Sequence, residues 1–133
     1  MAEPYASFCA ALRVKNAGHL HDQLSSQLGV QPTGVTLRGE VSGALGRPAS
    51  QDMWVLDAPL AEEEPLAAHL AWLANALQGK GQYLKQLVAD GVDIDIFCGY
   101  RTNSDYSSFE MPAGAFNFAG DIGIPLHMSY VVA

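Results

Sequence analysis

The chain has 133 residues, 49% of them hydrophobic and 16% charged, which suits one globular domain spanning 1–133. With 14 acidic against 7 basic side chains it carries a net charge of −7, and this argues against nucleic acid, whose phosphates need a positive surface. No run approaches the roughly 18 apolar residues of a membrane helix, and MAEPYASFCAALRV lacks a basic leader and a long apolar core. A cytoplasmic protein with no membrane association is the expectation.

Residues 5–14 read as a first strand. Phe8, Ala10, Leu12 and Val14 alternate with Ser7, Cys9, Ala11 and Arg13. After Lys15-Asn16-Ala17-Gly18, a helix is predicted over about 19–28, with Leu20, Leu24 and Leu28 as its stripe. Gly29 supplies a left-handed stop, and Pro32 prevents resumption. Residues 35–40 read as a second strand and 53–56 as a third. They are expected to pair as a hairpin around a Gly/Ser/Ala/Pro-rich loop at 42–51.

The main helix is predicted to start in Glu62-Glu63-Glu64-Pro65-Leu66, where acidic residues suit the helix dipole and proline fits a first turn. Leu66, Leu70, Leu73 and Leu77 form its inner stripe, and Gly79-Lys80-Gly81 breaks it. A further helical piece carries Tyr83, Leu84, Leu87 and Val88 and ends near Asp90-Gly91. Residues 92–100 give the clearest strand, with Val92, Ile94, Ile96 and Cys98 alternating with Asp93, Asp95 and Phe97. Residues 112–120 read as a short helical turn. Residues 124–132 close as a strand, with Ile124, Leu126, Met128, Tyr130 and Val132 on one face.

The order β-α-β-β-α-β, with a C-terminal turn and strand, implies an α+β fold. The expected layout is a ferredoxin-like two-layer sandwich with helices on one face of the sheet.

Several local signals then line up: Leu28-Gly29-Val30-Gln31-Pro32-Thr33, Gly39-Glu40, Trp54-Val55-Leu56, His69-Leu70 within the main helix, and Ile122-Gly123-Ile124. In order and spacing, from about residue 20 to residue 130, the chain resembles the bacterial family called domain of unknown function 4279. The resemblance supplies no catalytic residues. By analogy with small stand-alone bacterial proteins, it implies a toxin-neutralising (immunity) partner.

The chemistry-bearing residues are sparse. His19 and His21 lie two apart, His69 and His127 are distant in sequence, and Cys9 and Cys98 lack close pairing, so neither zinc nor another cofactor is expected. Cys9 and Cys98 alternate onto opposite sheet faces, which forbids a disulfide and predicts two free thiols, Cys98 buried. Cys9 and His127 share the outward side, but nothing fixes their separation, and no G-x-S-x-G is present. Gly79-x-Gly81 follows a helix and so lacks the context of a phosphate loop. Asp93 and Asp95 lie on one strand face, roughly 7 Å apart, as a carboxylate pair available for acid–base work.

The face opposite the helices is predicted to carry Ser7, Cys9, Arg13, Thr36, Arg38, Glu40, Asp93, Asp95, Arg101, His127 and Ser129. In FCGYRTNSDYSSFEM, a loop over 102–108 is expected to set Tyr100, Arg101, Asp105 and Tyr106 at its rim. These four, with Arg13, Arg38, Asp93 and Asp95, are the candidate partner-binding residues, because tyrosine and arginine are enriched at binding hot spots. A non-enzymatic binding protein is the first reading. A small-ligand sensor or enzyme using Asp93, Asp95, Arg101 and His127 is the second, and a homodimer through the open sheet or an edge strand is a third.

Overall fold

The computed structural model describes residues 3, 5–41, 46–104 and 108–132. The expected residues at 42–45 in the second loop, and the candidates Asp105 and Tyr106, lie outside the described residues.

The sheet is mixed. Its strands are β1 (Ala6–Lys15), β2 (Gly34–Thr36), β3 (Met53–Asp57), β4 (Asp93–Thr102) and β5 (Leu126–Val132), in spatial order β2-β3-β1-β4-β5. β1 runs antiparallel to both β3 and β4, and β2 pairs antiparallel with β3 as the hairpin pattern predicted. β5 lies parallel to β4, and its other edge is unpaired among the described residues. The helices are α1 (His21–Leu28, entered through a 3-10 turn at Gly18–Leu20), α2 (Leu66–Ala76), α3 (Gly81–Ala89) and α4 (Asn117–Ile122).

All four helices contribute to one core. Leu24 and Leu28, Leu66 to Leu77, Leu84 and Leu87, and Ala119 and Ile122 meet Ala10, Leu12, Val14, Trp54, Leu56, Ile94, Ile96 and Cys98. Those strand residues share one face by alternation, so the helices cover one side of the sheet. Trp54 is fully buried at its centre, and its indole N–H donates to Ser25 Oγ at 3.3 Å.

Three boundaries lie four or more residues from the sequence reading. β2 stops at Thr36 because Leu37–Glu40 turns back: Glu40 N–H donates to Leu37 O at 3.0 Å, and Gly39 adopts φ +92°. Asp52 holds that turn, accepting from Arg38 N–H (2.7 Å) on one oxygen and from Gly18 N–H (3.1 Å) on the other. The main helix begins after its acidic run, since Pro65 is the N-cap with extended backbone (φ −60°, ψ 151°) and Glu62–Glu64 sit in the preceding turn. His69, buried in α2, ties that turn down by a 3.2 Å contact from Nε2 to Glu64 O. α4 starts at Asn117, later than 112, after a separate turn in which Ala115 N–H donates to Pro112 O.

Candidate binding face

β1 continues to Lys15, and its register sets Arg13 against Asp95 and Lys15 against Asp93. The result is an ion-pair ladder on the face away from the helices. Arg13 donates through Nε (2.7 Å) and Nη2 (2.5 Å) to the two carboxylate oxygens of Asp95, a bidentate fork. Lys15 Nζ reaches Asp95 at 3.1 Å and Asp93 at 3.5 Å. Asp95 is 5% exposed although it lies on the uncovered side of the sheet. Burial acts to raise its carboxyl pKa; the hydrogen bonds and charges of Arg13 and Lys15 outweigh it and hold the group below its ordinary value.

The ladder continues sideways through π-systems. The Arg13 guanidinium lies 4.8 Å from the Phe97 ring centroid, and Phe97 stacks on His127 at 5.6 Å. Arg13, Asp95, Asp93, Phe97 and His127 therefore form one connected surface across β1, β4 and β5.

Two grooves flank this surface. The first, about 600 Å³, is lined chiefly by Tyr5, Ser7, Cys9, Phe97, Arg101 and Ser129. Its floor passes over Gly99, where a Cβ would lie 2.6 Å from Cys9 Sγ, so any larger residue there must displace that thiol. The second, about 610 Å³, lies between Thr36 and Met53 on one side and Arg47 to Gln51 on the other. Arg101 is exposed and makes no ion pair with any described residue.

The structure brings Arg13, Asp93 and Asp95 together and places Arg101 in the groove beside them. Arg38 stands apart, in the turn after β2, with its backbone bound to Asp52. Tyr100 also borders the first groove, but its side chain belongs to the helix side. It is 7% exposed, pairs in register with Phe8, and stacks on that ring at 5.1 Å. Phe109 and Tyr130 complete an aromatic cluster around it, at 4.9 and 5.2 Å. Adjacent strand residues point to opposite faces, so Tyr100 and Arg101 cannot both project from the open one.

The two cysteines are free, Cys9 exposed on the open face and Cys98 buried in the core, where burial pushes its thiol up to about 11. Among the described residues, no three of His, Cys, Asp and Glu gather as a metal site would require.

Sequence reasoning missed Lys15, Tyr5 and Phe97. Extending the β1 alternation by one step past Arg13 would have found Lys15, and Phe97 shares the parity of Asp93 and Asp95. Tyr5 is held near the groove by Thr102 and Asn103, which bond its carbonyl and amide, and no local pattern encodes that.

The model of the family described as Domain of unknown function (DUF4279) matches residues 5–133. No curated protein and no solved structure matches the chain. No helix of the described residues is long and apolar enough to cross a membrane.

Proposed function

Since the chain belongs to this family, whose description assigns no activity, we propose on the geometry that it is a protein-binding module. Its open sheet face makes the contacts. The observation that carries this reading is the ladder. Both oxygens of Asp95 are engaged by cations, so this member of the carboxylate pair is committed to structure, and Asp93 is left without its partner for proton transfer. What the face offers outward is Arg101 beside Tyr5 and Phe97, with Glu62 at the groove's end: mixed charge and aromatic surface in a fixed relief.

The partner is a protein with a carboxylate for Arg101 and a basic group for Glu62; the net charge of −7 favours a basic partner. A toxin-like partner neutralised in the cytoplasm of a bacterium is the biological form of this proposal. The same reading treats β2-β3-β1-β4 as a ferredoxin-like core with β5 added, supported by three antiparallel pairings in that order.

The test is co-expression of the tagged chain with the products of genes beside its own. A stable complex is expected, lost on Arg101→Glu and retained on Lys85→Glu, a substitution in α3. Failure to recover a complex with any neighbour, or a complex indifferent to Arg101→Glu, overturns the proposal.

A second reading, a small-ligand sensor, rests on the first groove's volume of about 600 Å³, within the range of ligand pockets. Neither Asp93 nor Asp95 lines that groove, so Arg101, Ser129, Ser7 and Glu62 would be among its polar contacts.

A further inference from the structure

β5 ends the sheet, and the character of its edge is unusual. Its sequence, LHMSYVV, contains no Asp, Glu, Lys, Arg, Pro or Gly, in a chain that carries a net charge of −7. Native edge strands are normally blunted by charge, proline, a bulge or brevity. The opposite edge follows that rule, since β2 is three residues long and gives way to a turn carrying Arg38 and Glu40. β5 runs for seven residues, with Met128 51%, Tyr130 54%, Val131 41% and Val132 46% exposed.

The backbone of β5 has a defined polarity. Ile96 N–H donates to Pro125 O at 3.0 Å, so Pro125 turns its carbonyl toward β4. Along a parallel strand this alternates. His127, Ser129 and Val131 also direct their backbone groups to β4, and Leu126, Met128, Tyr130 and Val132 direct theirs outward.

We propose that this edge pairs with the same edge of a second copy, antiparallel about a two-fold axis through Ser129, to form a continuous two-subunit sheet. In that register Leu126 meets Val132 of the second copy and Met128 meets its Tyr130. Every outward N–H and C=O of the strand then finds a partner. Moving the axis to a neighbouring residue leaves an end of the strand unmatched. The side chains agree with the backbone: Met128 and Tyr130 share the helix side, so each thioether lies against the opposing ring, and that ring is already braced by Tyr100.

Charge selects the occupant. Two strongly acidic chains repel over most surfaces, and this edge brings no like charges together. A charged peptide strand would find no counter-charge along it. A two-strand contact lies at the small end of protein interfaces, so the dimer is weak and forms as concentration rises.

The dyad residue gives the test, because Ser129 faces its own copy across a pair with side chains about 5 Å apart. Sedimentation velocity of the wild-type chain, from about 5 to 500 µM, is expected to show mass rising from monomer to dimer. Ser129→Lys and Ser129→Asp should each remain monomeric over that range, and mixing the two should restore dimer. Thermal midpoints near wild type verify folding. Should either variant not fold, Met128→Pro, which removes an outward N–H and the thioether but no backbone bond to β4, is expected to give the monomer. A wild-type chain monomeric throughout overturns the inference, as does a dimer untouched by these substitutions or a mixture that fails to re-associate.

Discussion

Replacing Asp95 with alanine removes the acceptor at the centre of the ladder and leaves Arg13 and Lys15 facing each other. The carboxylate side chain is 6% exposed, and the two cations are 21% and 18% exposed. Breaking a fully buried ion pair costs about 3–5 kcal/mol, because the orphaned charge stays desolvated. Here water reaches both cations, which lowers the expected loss to about 2–3 kcal/mol. In a chain of this length that corresponds to a fall in melting temperature of roughly 6–15 °C. Arg13→Ala removes the fork and the contact with Phe97 but leaves Lys15 on Asp95, for a loss of about 2 kcal/mol. The double variant Arg13→Ala/Asp95→Ala should lose less than the sum, with a coupling of about 1–2 kcal/mol. Urea titration of the four proteins measures it, with the m-value unchanged if the variants share one unfolded state. A coupling under about 0.5 kcal/mol would mean an ordinary solvated pair. Asp95 would then be available for chemistry, and the argument against acid–base work on this face would fail.

Acid should unfold the chain through the same carboxylates. Asp95 is held low by the balance of burial against Arg13 and Lys15, and Asp52 is held low chiefly by the Arg38 N–H. A depressed folded-state pKa contributes stability above the unfolded value and loses it as pH falls through the folded one. The urea midpoint should therefore hold from neutrality to about pH 5 and fall below about pH 4. An Asp95→Asn chain with an acid limb as steep as wild type would show that the loss arises elsewhere. Gly99→Ala sets a methyl 2.6 Å from Cys9 Sγ and should cost about 1–3 kcal/mol, most of it recovered in Gly99→Ala/Cys9→Ala. Equal melting temperatures for the single and double variants would sever that link between thiol and glycine.

Periodicity made the helix side legible. The leucines of α2 and the alternation of Ile94, Ile96 and Cys98 lead directly to the core in which all four helices meet. The alternation that buries Ile94 and Ile96 also places Asp93 and Asp95 outward, and it separates Cys9 from Cys98. What escaped was set by long-range pairing. β2 loses its last residues to Asp52, an acceptor 14 positions away from Arg38 in sequence. The acidic run before Pro65 carries the helix-start signature but is spent in a turn, because Pro65 takes the extended conformation. For the site, Arg13 and Asp95 were each legible as outward residues. Their bond was not, because it depends on a register between strands 82 residues apart.

That register decides what each surface can do. Once Arg13, Lys15 and Asp95 are bound to one another, the charges at the centre of the open face are spent on each other, and the groove beside it holds Arg101, unpaired among the described residues. Tyr100, one residue earlier, turns to the helix side and joins Phe8, Phe109 and Tyr130 instead. A single strand thus supplies an exposed cation to one face and an aromatic brace to the edge strand. Partner recognition through Arg101 and self-pairing through β5 meet at Ser129, which lines the groove and sits on the proposed dyad. If both operate, a bulky partner seated in the groove competes with the second copy. The dimer should then dissociate as the complex forms, and sedimentation of the mixed species would show one copy of this chain per partner.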